Sequence, residues 1–323
     1  MAAFDPALRD LCDTRDHEPL VPLNRRSLLR GQGYSTLFLE LTARCNERCQ
    51  HCYADSSPDR REELSASTIN AVLSDARALG FRRVQLTGGD PLMSPHCLHA
   101  AKKTRELGFE TLEIYTNGLS LRGRLYRELR DLSPTFAFSF YSHVASRHDA
   151  ITRTQGSHAR TLDAIARCLA DDLSVRVSVI AMDGNEGDLE QTRALLEGMG
   201  VVHVAVDVQR SVGRGRFVPR EIDSPNGNAG HVSNADAHFD GRIAVSAGGE
   251  VFPCIFSRHL ALGSVLGSSL TELLEAEIPL SIGASALGAG SEALLGKLAC
   301  LQCRTRTALL SGQAGLLQIG TRA

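Results

Sequence analysis

Three cysteines fall close together in the stretch ELTARCNERCQHCY. They are Cys45, Cys49 and Cys52, spaced x3 and x2, directly after an apolar run. Thiolates at such spacing can hold a metal. A closed structural zinc site wants four ligands. His51 is the nearest fourth donor, but it adjoins Cys52 and would strain to share an ion with it. A cubane iron–sulfur cluster held by three thiolates instead keeps one iron open to an exogenous ligand. The chain has nine cysteines. Arg25-Arg26 is followed by Ser27-Leu28-Leu29-Arg30-Gly31, which supplies no h-region of an export signal. The expected location is cytoplasmic, where cysteines serve metal or redox chemistry rather than disulfides.

These residues need a scaffold. With 323 residues, 43% of them hydrophobic, the chain can build one large domain or two smaller ones. A net charge of −2 and a pI of about 6.6 create no field for nucleic acid or an anionic membrane. No apolar run approaches the ~20 residues of a membrane span. Strand patterns fall at Thr36–Thr42, Arg83–Thr87, Thr111–Thr116, Thr135–Tyr141, Ser174–Ala181 and Val201–Val208. Helical stripes separate them: Leu64 to Leu79, a segment opened by Ser94 and Pro95, Leu162 to Leu169, and Leu189 to Met199. Repeated strand–helix units predict a parallel sheet wrapped by helices.

Each strand has one apolar and one mostly polar face. Phe136, Phe138 and Phe140 oppose Ala137, Ser139 and Tyr141, and Val175, Val177 and Val179 oppose Arg176, Ser178 and Ile180. Val202, Val204, Val206 and Val208 form a similar apolar face. A closed eight-stranded barrel fills its interior with apolar side chains, so this pattern predicts an open, partial (β/α)6 TIM-like barrel with a polar lumen. The alternative is a sheet with one face in solvent. Residues 1–34 read as an N-terminal extension, 35–219 as the barrel and 220–323 as a small second domain. Its hairpin runs over Arg242–Ser246 and Glu250–Pro253, and its short helix over Thr271–Glu277.

The cysteine loop after the first strand resembles the signature of the radical S-adenosylmethionine (SAM) superfamily. His51 stands where the family usually has an aromatic residue. The resemblance implies a [4Fe-4S] cluster on Cys45, Cys49 and Cys52 whose open iron binds SAM. One electron then cleaves SAM to methionine and a 5′-deoxyadenosyl radical, which abstracts a hydrogen atom from substrate. Gly88-Gly89-Asp90-Pro91 is similar to the family's Gly-Gly-Glu-Pro, with Asp90 for Glu. Asn117 lies in a Thr-Asn-Gly match, and Ser139, Asn185 and Arg214 fall at further positions expected near SAM.

A second set, Cys254 with Cys300 and Cys303, resembles the C-terminal SPASM/Twitch extension of the family. One auxiliary cluster is implied. The cysteine expected before the hairpin is missing; either His238 replaces it, with His231 and Asp240 as others, or three cysteines hold a cluster open to substrate, and a zinc ion or an empty site are the remaining alternatives. Cys12, Cys97 and Cys168 remain, and Cys168 falls on an apolar stripe. Segments around Ser139–His143, His148–Thr152 and Gly156-Ser157 resemble maturases of ribosomally made peptides. The implied substrate is a peptide, brought by a separate recognition protein, with flavodoxin or ferredoxin as reductant. A small-molecule substrate is the alternative, and a non-catalytic metal scaffold a third reading.

Overall fold

The computed structural model describes residues 33–210, 212–217, 241–258 and 261–276. Cys12, His231, His238, Asp240, Cys300 and Cys303 lie outside the described residues.

Six strands carry the barrel: β1 Thr36–Thr42, β2 Arg83–Gly88, β3 Thr111–Thr116, β4 Thr135–Phe140, β5 Val175–Ala181 and β6 His203–Val208. Each pairs in parallel with the next. Helices α1 Ala66–Ala78, α2 Cys97–Glu106, α3 Gly123–Arg130, α4 Ala145–Thr152, α5 Ser157–Ala170 and α6 Leu189–Gly198 connect them. None of the described helices is long and apolar enough to cross a membrane.

Side-chain alternation builds the two layers. Leu37, Leu39, Leu86, Ile114, Phe136, Phe138 and Val177 are fully buried on the outer face. There they join Ile69 and Leu73 of α1, Ala100 of α2 and Ile165 and Cys168 of α5 in one core. Each buried Leu, Ile, Val or Phe side chain among them contributes about 1.5–3 kcal/mol by leaving water. The inner-facing residues line a cavity instead, as the polar second face predicts.

Local details depart from the sequence reading. Ser94 does not open a helix. It ends a 3-10 turn at Pro91–Met93, and α2 begins at Cys97. The Ser94 hydroxyl donates to Glu63 Oε1 at 2.6 Å and accepts from the His96 N–H at 3.1 Å, so it tethers the turn. The valine face of β6 is only partly covered, because β6 ends the sheet: Val202 is 84% exposed and Val206 46%. Helices α3 and α4 were not anticipated. The α4 sequence ASRHDAIT has no apolar stripe to announce it.

The C-terminal hairpin forms, as β7 Arg242–Val245 and β8 Glu250–Phe252, followed by β9 Gly263–Ser264 and α7 Leu270–Glu275. Its first strand pairs in parallel with β1, so the sheet runs β6-β5-β4-β3-β2-β1-β7-β8-β9 without a break. Gly241, at φ +73°, makes this approach possible. A Cβ there would sit 2.1 Å from the Gly33 carbonyl.

A buried ion pair seams this hairpin to the barrel. Glu40 of β1 is 3% exposed and meets the Arg258 guanidinium. That guanidinium also lies over the rings of Tyr53 and Phe252, at 5.4 and 5.8 Å. Removing one partner leaves the other charge buried alone. Glu40→Gln is expected to cost about 3 kcal/mol in denaturant unfolding, the low end for a buried pair because Arg258 keeps some solvent contact. A loss below about 1 kcal/mol would show that the pair behaves as a surface bridge.

Candidate active site

The loop carrying Cys45, Cys49 and Cys52 roofs the C-terminal end of the barrel. All three residues line one cavity of about 580 Å³ that runs down the lumen. The loop has no regular structure, so its backbone groups need partners from outside. Three elements supply them.

The first is the end of α4. The carbonyls of Thr152 and Ile151 accept from the Arg48 and Gln50 N–H groups at 3.1 and 3.0 Å. Asp149 fixes the turn that follows: its carboxylate accepts from the Gly156 and His158 N–H groups at 2.6 and 2.9 Å and from the Ser157 hydroxyl at 3.0 Å. The second is the turn after β2. Gly89 and Asp90 donate N–H bonds to the carbonyls of Thr42 and Arg44 at 2.6 and 3.0 Å. Only glycine fits there, since a Cβ on Gly89 would lie 2.2 Å from the Arg44 carbonyl. The third is the segment after β6. The Arg214 guanidinium donates to the Cys49 carbonyl at 2.8 Å, the Ser56 carbonyl at 2.7 Å and Asp55 Oδ1 at 3.0 Å, and the Arg214 backbone N–H donates to the Cys52 carbonyl at 3.0 Å.

The thiols fit a cationic cluster. Cys45 is buried, and burial, with Asp90 second, pushes its thiol well up. Burial, with Glu47 second, does the same to Cys49. Neutral thiols are thus favoured until a metal binds, and a coordinating metal deprotonates them outright. The N–H groups of Glu47 and Ser56 already point at the sulfurs of Cys45 and Cys52, at 3.4 and 3.3 Å. No three His, Cys, Asp or Glu side chains among the described residues converge on a single-ion site. The three thiols share one cavity, as the ligands of one cluster would.

Of the positions expected near SAM, Gly88, Gly89, Asn117 and Ser139 line the cavity. Asn117 Nδ2 donates to Asn46 Oδ1 at 2.6 Å, and the Ser139 hydroxyl to the Tyr115 oxygen at 3.1 Å. Asp90, Asn185 and Arg214 sit behind the wall. The Asp90 carboxylate is fully buried and accepts from the Leu92 N–H, the Thr116 hydroxyl and the Asn117 N–H at 2.9, 2.7 and 3.0 Å. It ties the glycine turn to the end of β3. Asn185 ties the ends of β4 and β5 through the Tyr141 and Ile180 carbonyls and the Met182 N–H. Cys254 is buried and lines the same cavity as the three-cysteine loop.

Apart from His51, the following lining residues were not singled out from sequence. Glu47 is 3% exposed, accepts the Cys49 thiol at 3.3 Å and is pushed up to about 7 by burial. Burial, with the Arg214 charge second, lowers His51 to about 4, so its ring is neutral at pH 7 where it meets Tyr141 edge-on at 4.8 Å. Deeper in the lumen, Arg176 forks onto Glu113 at 2.8 and 3.1 Å, and Gln85 donates to the same carboxylate. The signal for this group was a charged or amide residue on the polar faces of β2, β3 and β5.

Arg214 holds the loop without touching the cavity. Hydrogen bonds from a charged donor are worth about 1.5–3 kcal/mol each, so Arg214→Gln is expected to speed iron loss to a chelator on the order of tenfold or more. Arg214→Lys should recover only part of this, because a lysine cannot reproduce the fork. Wild-type iron retention in Arg214→Gln would contradict the clamp.

Comparison with known proteins agrees with this geometry. The chain is 31% identical over 176 residues to molybdenum cofactor biosynthesis protein 1 of Bos taurus, covering 52% of this chain and 28% of that protein's length. It is 27% identical over 267 residues to the GTP 3′,8-cyclase of Heliobacterium modesticaldum, covering 69% and 81%. Streptococcus suis SuiB, solved with its precursor peptide SuiA, shares the fold at a TM-score of 0.63 and 13% identity, over 84% of this chain and 71% of that one. The family model for the radical SAM superfamily matches residues 39–208. That span runs from within β1 to the end of β6 and takes in the cysteine loop and the glycine turn, and by it the chain belongs to the radical SAM superfamily.

Proposed function

We propose that this enzyme cleaves SAM under the cysteine loop and abstracts a hydrogen atom from a peptide residue held in the lumen. The observation that carries the reading is a three-thiol loop roofing a cavity, lined by both polar and apolar side chains, that continues down the barrel. A [4Fe-4S] cluster on Cys45, Cys49 and Cys52 would supply the electron that releases a carbon-centred radical from SAM.

The chain's own residues do the positioning. Gly88 and Gly89 leave backbone exposed at the cavity wall, where an ammonium or carboxylate can approach closely. Asn117 and Ser139 present polar groups at the ends of β3 and β4. His51 and Tyr141 offer ring surface beside them. Phe256 and Ile255 line the wall contributed by the C-terminal segment and help keep water from a reactive intermediate.

The peptide assignment rests on the resemblance of the β4–α4–α5 segment to peptide maturases. It is supported by a fold shared with SuiB, which was solved with a precursor peptide. A second reading, a small-molecule substrate, is favoured by the GTP 3′,8-cyclase alignment over 69% of this chain. Cys254 is proposed as a ligand of an auxiliary cluster, together with Cys300, Cys303 and His238.

A candidate peptide encoded beside this gene, co-expressed with the enzyme in H₂O and D₂O, tests the substrate. Mass spectrometry should show loss of two hydrogens for a cross-link, or gain of one deuterium for epimerisation. Neither should appear with the Cys45→Ala/Cys49→Ala/Cys52→Ala variant. An unchanged peptide, with SAM cleavage intact, would favour the small-molecule reading.

The anaerobically reconstituted wild type is expected to hold two clusters and the triple variant one. A triple variant without iron would remove the auxiliary cluster from the account. His238→Ala should change the spectrum of the remaining cluster, and an unchanged spectrum would exclude His238 as its ligand.

A further inference from the structure

Four arginines line the cavity: Arg83, Arg176, Arg210 and Arg242. Two of them meet carboxylates. Arg176 pairs with Glu113, and Arg210 with Asp207, each at 2.8 Å. These pairs leave little net charge in the middle and upper lumen. Arg83 and Arg242 differ. Neither side chain forms an ion pair or hydrogen bond among the described residues.

The sheet places these two together. Arg83 is the first residue of β2, Thr36 of β1 and Arg242 of β7. Thr36 is the register partner of both arginines, one on each side. Thr111, the first residue of β3, is in turn the partner of Arg83. The row Arg242–Thr36–Arg83–Thr111 therefore crosses four neighbouring strands, and all four residues line the cavity. Adjacent strands lie about 4.8 Å apart, so the two arginine backbones are separated by roughly 10 Å across Thr36. Two guanidinium forks can converge from that spacing on one group above the Thr36 hydroxyl. Both arginines are exposed, so the row forms an open rim to the lumen.

The rim stands at the opposite end of the strands from the cysteine loop. Six residue steps along β1 at about 3.3 Å each separate Thr36 from Thr42, so the two ends are roughly 20 Å apart. A substrate held at the rim would extend up the lumen towards the cysteines. Two cations without a counter-charge among the described residues, at the mouth of a channel, attract an anion, and guanidinium forks match carboxylate and phosphate oxygens.

We propose that Arg83 and Arg242, with the hydroxyls of Thr36 and Thr111, form a substrate subsite for an anionic oxygen group, a carboxylate or a phosphate. The proposal rests on the reading that the substrate occupies the lumen. It adds that the substrate carries negative charge at the end remote from the reacting carbon. An acidic residue of a peptide and a phosphorylated small molecule share this chemistry.

The test uses full-length, anaerobically reconstituted enzyme with SAM, titrated at low salt with pyrophosphate and separately with glutarate in a calorimeter. Arg83→Gln and Arg242→Gln should each weaken binding at least about tenfold, since each removes charged hydrogen bonds, and the double variant should show none. Arg82→Gln, which loses only a surface contact with Glu110 at 3.9 Å, should bind as the wild type does. Binding of pyrophosphate alone assigns the subsite to phosphate, and binding of glutarate alone to carboxylate. No binding of either probe at millimolar concentration, or wild-type binding by the double variant, overturns the proposal. Release of 5′-deoxyadenosine by the wild type, measured alongside, reports on the functional reading separately.

Discussion

An irregular loop that must present three thiols to one point cannot stabilise itself. Its backbone N–H and C=O groups have no helix or sheet to pair with, and leaving them unpaired beside a buried cavity is costly. Here the solution is external. The carbonyls ending α4, the glycine turn after β2 and the Arg214 guanidinium each fix a different part of the loop. They come from strands spread across the whole sheet. The cysteine geometry thus depends on the barrel being assembled, and the rest of the structure can be read as the frame for that loop.

The same dependence explains why several polar residues face away from the cavity. Asp90 links the glycine turn to Thr116 and Asn117 and so sets the end of β2 against the end of β3. Asn185 does the equivalent for β4 and β5. Asp149 caps α5 and holds the turn from which α4 reaches the loop. These are positioning residues. What stays inside the lumen is a stack of layers: thiols and Glu47 at the top, hydroxyls and rings below them, and the Arg176–Glu113–Gln85 network beneath those. The continuity of β7 with β1 adds Arg242 at the foot of this stack and, just after β8, Cys254 in its wall.

Much of this was legible in the sequence because it depends on periodicity. Alternation of Phe136, Phe138 and Phe140 with Ala137 and Ser139 marks a strand between helices and a lumen, and the six strands appear within about two residues of their expected ends. The cysteine spacing and the Gly88-Gly89 turn were legible for a different reason, since few residue types satisfy those positions. The direction in which Asp90, Asn185 or Arg214 points was not legible. A polar side chain at a strand end can serve the lumen or a neighbouring backbone, and only three-dimensional proximity decides. Helix α4 was missed because its contacts are backbone carbonyls and the buried His148, not an apolar stripe. The exposure of Val202 and Val206 follows from the place of β6 at the sheet edge, which alternation does not encode.

The central claim is that Cys45, Cys49 and Cys52 together support reductive cleavage of SAM. The most direct measurement is 5′-deoxyadenosine formed from SAM and dithionite by anaerobically reconstituted enzyme, beside the Cys45→Ala/Cys49→Ala/Cys52→Ala variant shown by circular dichroism to keep its fold. The account predicts product from the wild type and none from the folded variant. Equal product from both, or none from a wild type loaded with iron, would contradict it.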